Sequence, residues 1–143
     1  MGISICITDN IDMPRFTYSK NSRINSKAAF KAVFDYKLFA RNDLITVYIA
    51  PNNLEKPRFA VSVSGKIRPA VVRNRLKRLA REAFRLNQYE LPAGFDYIII
   101  YSQWLSKREK SDIKKVTLEQ VRQGFTTLVR QIHKRYEKRQ SQQ

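Results

Sequence analysis

Cysteine, histidine and acidic residues are scarce in this 143-residue chain. The lone cysteine, Cys6, rules out an intramolecular disulfide and with it a stapled secreted scaffold. The lone histidine, His133, leaves a zinc site of Cys and His ligands without enough donors. His133 also lacks an orienting partner nearby in sequence, which argues against general-base work. The acidic residues are thinly spread and form no DxD-like pair, so the carboxylate cluster of a nuclease carrying its own metals is missing. In the C-terminal half the longest apolar run, Tyr97–Tyr101, falls far short of the ~20 residues that span a bilayer. The opening MGISICITDNIDMP has no basic residue before its short apolar stretch, unlike a secretory signal. Cys6 stands where a myristoylation pattern wants Ser or Thr. A cytoplasmic protein with no membrane contact and no small-molecule substrate is expected.

What is present is a domain-sized chain with an ordinary apolar content and a large positive charge. Hydrophobic residues make up 43%, too many for charge-driven disorder. Lys and Arg number 28 against 12 Asp and Glu, a formal charge of +16 that favours a polyanionic partner. The charge is not evenly placed. Residues 66–85 hold eight basic residues and a single acid, Glu82, so one short stretch supplies nearly half of the excess.

The chain reads as one α+β domain over residues 23–136. Before it lies a flexible leader over 1–22, with Phe16 and Tyr18, and after it a disordered basic and polar tail over 137–143. Asn25-Ser26 caps a helix reaching about Tyr36, with Phe30, Val33 and Phe34 on one face. Leu44–Ala50 and Arg58–Ser64 alternate as strands. Pro69 opens a helix running to about Leu86, Phe95–Tyr101 reads as a buried strand, and a last helix covers about Ile113 to Tyr136. Gly124 inside that helix is unfavourable by itself.

On a wheel of about 100° per residue, Val72, Leu76, Leu79, Ala83 and Leu86 form the core stripe of the basic helix. Arg73, Asn74, Lys77, Arg78, Arg81 and Arg85 lie opposite, and Arg75 falls at the boundary with its stem able to pack. A merely solvated face usually mixes signs to gain i,i+4 pairs. Here the cations repel one another with only Glu82 for relief, which points to a polyanion.

The stretch SVSGKIRPAVVRNRLKRLAREAFR resembles the signature of the bacterial ribonuclease P protein component, centred on Arg73-Asn74-Arg75 with Lys77, Arg78 and Arg81 after it. SRINSKAAFKAVF is similar to that family's first helix and FDYIIIY to the strand after the basic helix. The resemblance implies a two-layer α+β sandwich of order αβββαβα, ribosomal-protein-like, with a left-handed crossover. It implies a protein subunit, one per catalytic RNA, that helps the RNA remove the 5′ leader of precursor tRNA. The active site and its Mg2+ ions would belong to the RNA, with no catalytic residue and no metal site in the protein. By position, the RNA-binding residues would be Lys66, Arg68, Arg73, Asn74, Arg75, Lys77, Arg78 and Arg81. The leader-binding cleft would hold Phe30, Phe34 and Tyr48. Two places depart from the family's pattern: Gly65-Lys66 stands where a basic pair is common, and Arg68-Pro69 where a glycine and a small polar residue are usual. Arg68 is expected to return the charge that Gly65 removes.

Each site residue also has a plainer reading. Asn74 suits a base or a 2′-hydroxyl, or a cap on its own backbone. Phe30 and Phe34 suit base stacking, or ordinary core packing at helical spacing. Tyr48 lies on the strand face opposite Ile45, Val47 and Ile49, fitting either a cleft lining or a buried hydroxyl. Phe16 and Tyr18 fit a hydrophobic anchor, and Trp104 a packed side chain. The alternative at the level of function is a structural RNA-binding module, ribosomal or chaperone-like, without a catalytic partner. A DNA reader would need base-specific side chains in place of a uniformly basic ridge.

Overall fold

The computed structural model describes residues 23–24, 26–54, 56–108 and 110–142, with the side chains of residues 103, 104, 110 and 111 outside that description. Cys6, Phe16, Tyr18, Asn25 and the Trp104 side chain, all singled out above, therefore lie outside the described residues. The elements are α1 (Lys27–Tyr36), β1 (Phe39–Arg41), β2 (Ile45–Pro51), β3 (Arg58–Ser62), α2 (Ala70–Asn87) and β4 (Phe95–Tyr101). A short 3-10 turn (Gln103–Lys107), α3 (Lys110–Lys114) and α4 (Leu118–Ser141) complete the chain. This is the expected α+β order with one short helix added before the last.

Side chains at the ends set the helix boundaries. Ser26 starts α1 by accepting from the Ala29 amide through Oγ at 3.0 Å. Lys37 ends it in the left-handed region at φ 60°. Thr117 and Gln120 form a reciprocal capping box at the start of α4. That helix continues to Ser141, into the segment whose composition suggested a disordered tail. Its last turns are made of good helix formers. Arg139 secures them, donating to the Tyr36 carbonyl at 3.4 Å and lying 5.3 Å over the Tyr36 ring.

The strands lie in the order β1-β2-β4-β3. β1 and β4 are antiparallel to β2, whereas β3 runs parallel to β4 and reaches it through α2. Period-two alternation sorts the side chains to two faces. Ile45, Val47, Ile49, Phe59, Tyr97 and Ile99 pack under α2 and α4 with Leu76, Phe84, Phe125 and Ile132, and all ten are fully buried. Ala50 and Ile98 on the other face pack with Val33 of α1. The α2 stripe is turned slightly from the wheel: Ala80, Phe84 and Asn87 are buried, while Leu79 and Leu86 are only partly so. Phe84 draws the helix round by stacking on Phe59 at 4.7 Å between ring centroids. β1 has three residues and only Ala40 buried, too short for alternation to stand out in the sequence.

Each outer strand is met at one residue on its free side. Arg23 bridges to Phe59 of β3, with the Ile24 amide donating to the Phe59 carbonyl at 3.1 Å. On the opposite side Arg135 of α4 donates to the Phe39 carbonyl of β1 at 2.6 Å.

Gly124 of α4 gains its meaning from the β1–β2 turn. A Cβ there would stand 2.8 Å from Nδ2 of Asn42. Oδ1 of Asn42 accepts from the Leu44 and Ile45 amides, both at 2.8 Å, so the side chain is held. The missing methyl lets the turn sit against the helix.

His133 packs edge-on to Phe95 at 4.7 Å and meets the Tyr97 hydroxyl through Nε2 at 3.1 Å. Burial lowers its pKa below the ordinary 6.5, and Glu137 pulls the other way. Because the folded value is the lower one, the stability from the neutral ring is complete above about pH 6.5 and is lost as pH falls through the folded pKa. A melting series from pH 7.5 to 5 is expected to show a larger drop for the wild type than for His133→Gln. Equal slopes would mean that the ring charges without cost.

Candidate nucleic-acid interface

The basic helix presents its cations in two distinct ways. Asn74, Arg78 and Arg81 are exposed, Lys77 is half-buried, and none of their side chains has a partner among the described residues. Lys66 and Arg68, in the loop that leads from β3 into α2, are likewise exposed and unpartnered. Glu82 is not shared along the ridge: Arg85 holds it through two contacts at 2.9 and 2.8 Å, which lowers the carboxyl's pKa. Among the described residues the ridge between Lys66 and Arg81 is therefore left without a compensating acid, and like charges gather on one surface.

The two arginines flanking Asn74 are turned toward the body of the protein. Arg73 donates from Nη1 to the Ile67 carbonyl at 2.9 Å, holding the approach loop against the helix. Arg75 donates from Nη2 to the Val116 carbonyl at 2.7 Å, tying α2 to the α3–α4 junction. Its Nη1 is buried without a partner among the described residues. Tyr101 adds a third tie, its hydroxyl donating to the Leu76 carbonyl at 2.6 Å, and burial raises its pKa. Of the eight expected RNA contacts, six thus form the free surface while Arg73 and Arg75 orient it. Helical geometry accounts for the split: with the core centred near Leu76 and Ala83, residues 73 and 75 fall on opposite flanks of the ridge and Arg78 near its crest.

The approach loop absorbs both departures from the expected pattern. Among the described residues the non-glycine positions of positive φ are Lys37 and Asn53, so Arg68 does not occupy the left-handed region that would favour glycine. Gly65 is outside that region too, with open space where a side chain would project.

Phe30, Phe34 and Tyr48 come together on the opposite face of the sheet. Phe34 lies 5.0 Å from Phe30 and 4.7 Å from Tyr48, and Phe39 stacks on Tyr48 at 5.0 Å. All three expected residues are half-buried, whereas Val33 between them is buried. Val33 is therefore the core residue of α1, and the aromatic trio forms a half-buried patch on the surface beside it. Phe39, 41% exposed, joins that patch. The sequence reading missed it because strand β1 went unrecognised.

Tyr48 also lines a cleft of about 560 Å³ at the end of the sheet where β2 begins and β4 ends. Thr46, Ile100, Arg41, Asp43 and Arg108 line it too. Arg41 and Arg108 lie in separate segments, and nothing in the sequence marks them as neighbours.

Among the described residues no three of His, Cys, Asp and Glu gather into a cluster that could hold a metal ion. The buried acid Asp96 is engaged by Arg58 through contacts at 2.8 and 2.7 Å and by Asn52 at 2.7 Å. The hydrogen bond from Arg58 raises that guanidinium's pKa. Among the described residues no helix is long and apolar enough to cross a membrane.

Comparison with known proteins gives a consistent result. The family model described as ribonuclease P matches residues 18–134. The ribonuclease P protein component of Haemophilus influenzae (strain PittGG) is 35% identical over 105 residues, 73% of this chain and 87% of that protein. The component from Pasteurella multocida is 35% identical over 117 residues, 81% of this chain and 97% of its own length. Among solved structures, the ribonuclease P protein of Thermotoga maritima superposes with a TM-score of 0.65 at 29% identity, covering 76% of this chain and 96% of that one.

Proposed function

Because the chain belongs to the ribonuclease P protein family, and so is the protein subunit of a tRNA-processing ribonucleoprotein, we propose that its two faces divide the work between two RNAs. The exposed ridge of Lys66, Arg68, Asn74, Lys77, Arg78 and Arg81 grips the catalytic RNA. The aromatic patch of Phe30, Phe34 and Tyr48 takes the single-stranded 5′ leader of precursor tRNA. One protein serves one RNA, in the cytoplasm, and the RNA carries the active site and its Mg2+ ions.

The observation that carries this reading is the pairing of a basic ridge, uncompensated among the described residues, with a half-buried aromatic patch on the other side of the same sheet. Phosphates attract the ridge through counterion release, and arginine adds planar, two-pronged contacts to phosphate oxygens. Aromatic rings accept any base by stacking, at about 1–3 kcal/mol per base, which suits leaders of varied sequence. Arg73 and Arg75 act as positioning residues: their bonds to Ile67 and Val116 fix the helix that presents the ridge. In this scheme the protein contributes binding and orientation, and no proton moves through its side chains.

The test is reconstitution with the source organism's catalytic RNA and a 5′-labelled precursor tRNA at low magnesium. Cleavage at the mature 5′ end should require both components. Phe34→Ala/Tyr48→Ala should weaken precursor binding roughly tenfold or more through lost stacking, while mature tRNA binds as before. Binding of the catalytic RNA without any gain in cleavage would instead identify a structural RNA-binding module.

A further inference from the structure

Resting on the reading that the α2 ridge grips the catalytic RNA, we propose that α4 carries a second, separate contact for a double-helical segment of that RNA, made by Thr127, Gln131, Lys134 and Lys138. Spacings of four, three and four residues set these side chains in one line along the helix, about 16 Å long at 1.5 Å per residue. All four are exposed, and none of their side chains has a partner among the described residues.

The placing of charge on α4 sets this line apart from an ordinary solvated flank. Arg122 faces α2, donating to Oδ1 of Asn87 at 3.3 Å, whereas Arg135 faces β1. The line runs on the Arg135 side. The acids of the helix, Glu119 and Glu137, are about five turns apart and share a line on the Arg122 side. Glu119 stands with Glu90 in a groove of about 300 Å³ between α2 and α4. Glu137 is three residues from Lys134, yet the two form no ion pair. Lys138 has Lys134 and Arg135 behind it and Ser141 and Gln142 ahead, so the repulsion between like charges four apart goes unrelieved. At the Thr127 end, Asp43 and Asp112 line a groove that also holds Arg108 and Lys115, which balance them.

The cationic end of the line is held in place. α4 runs to Ser141, past residue 134 where the family match ends. Arg135 and Arg139 anchor these turns at the carbonyls of Phe39 and Tyr36. Lys138, between the two anchors, is exposed on an ordered turn, so little backbone entropy is lost when it meets a phosphate.

The line's chemistry fits a duplex. It bears no aromatic or large apolar side chain on which unpaired bases stack. Hydroxyl, amide and ammonium groups match the outside of an A-form helix, where the shallow groove displays 2′-hydroxyls beside the phosphates. α4 and α2 pack on one face of the sheet, and the aromatic patch lies on the other. The RNA met on the α2 side is the catalytic RNA. The acid-bearing groove separates the ridge from the line, so that RNA is touched at two places rather than along one band.

The experiment combines backbone footprinting and salt-dependent binding of the full chain on the source organism's catalytic RNA, without precursor tRNA. The wild type should protect two separate segments. Lys134→Ala/Lys138→Ala should lose one of them, bind roughly tenfold more weakly at about 0.2 M salt, and lower the slope of log K against log salt by about 1.8, two duplex phosphate contacts. Lys134→Arg/Lys138→Arg should keep both segments and the slope. Melting temperature should not fall in the alanine variant, since neither lysine has a partner among the described residues and alanine favours helix. Arg78→Ala/Arg81→Ala should lose the other segment. A Lys134→Ala/Lys138→Ala variant that keeps both segments and the full slope overturns the second contact. So does one that binds the catalytic RNA normally but, in the reconstituted holoenzyme, holds precursor tRNA less tightly, which would give the line to the substrate. An Arg78→Ala/Arg81→Ala variant that keeps both segments overturns the ridge reading alone.

Discussion

Arg78→Ala combined with Arg81→Ala is expected to weaken binding of the catalytic RNA about a hundredfold while leaving the protein at least as stable as before. Each side chain is exposed on the crest of α2 and has no partner among the described residues, so each can meet a phosphate. A hydrogen bond to a charged group contributes roughly 1.5 kcal/mol or more, and two such losses amount to about a hundredfold in affinity. The salt dependence should flatten at the same time, by roughly 0.9 in the log–log slope per phosphate contact on a duplex. Stability moves the other way. Lys77 and Arg81 are four residues apart and Arg78 and Arg81 three apart, and like charges at that spacing destabilise a helix by a few tenths of a kcal/mol. Alanine also favours helix. Arg75→Ala makes the contrast: it removes the bond to Val116 and should lower the melting temperature as well as RNA affinity. Filter binding across a salt series, alongside thermal melts, separates the two classes. A double variant that binds with unchanged slope would place the RNA elsewhere on the protein.

Asp96→Ala should be the most damaging single change away from the RNA surfaces, costing about 3 kcal/mol or more. The carboxylate is only 5% exposed and accepts from Arg58 at two points and from Asn52 at a third. Alanine would leave the Arg58 guanidinium, itself 25% exposed, beside a gap with no counter-charge. The pair also spans neighbouring parallel strands, since Arg58 and Asp96 are register partners of β3 and β4. For a domain of this size the loss corresponds to a fall in melting temperature of about 10 °C. Replacing both members with apolar residues, as in Arg58→Met/Asp96→Leu, should cost less than Asp96→Ala alone, because no charge is then stranded. A chemical denaturation series decides it: a double variant less stable than Asp96→Ala would show that the ion pair contributes more than its own desolvation costs.

Local chemistry was legible in the sequence, and distant pairing was not. The ridge of α2 follows from helical spacing and from the shortage of acids around residues 66–85. The facing of Tyr48 away from Ile45, Val47 and Ile49 follows from strand alternation. The inward turn of Arg73 and Arg75 did not follow. Their acceptors are the backbone carbonyls of Ile67 and Val116, and a carbonyl leaves no mark in the residue alphabet. The partners of Asp96, Arg58 and Asn52, come from other segments, and nothing in the apolar strand around it points to them. Gly124 counted against its helix when taken alone and became intelligible only with Asn42 in place. Phe30 and Phe34 could not be told from core residues by period alone. The covering of the sheet by α1 settles their half-exposed position, with Val33 taking the interior.

The contacts at the margins of the sheet bear on how this protein survives before it meets its RNA. An open strand margin is a template on which a second chain can add, and growth of that kind leads to aggregates. Here β3 is met by the Arg23–Ile24 segment and short β1 by the guanidinium of Arg135. A surplus of sixteen positive charges keeps copies apart at long range, but salt weakens that repulsion within about 10 Å. The margin contacts act at short range, where salt has little influence. A copy not bound to RNA is thus guarded against self-association at both ranges.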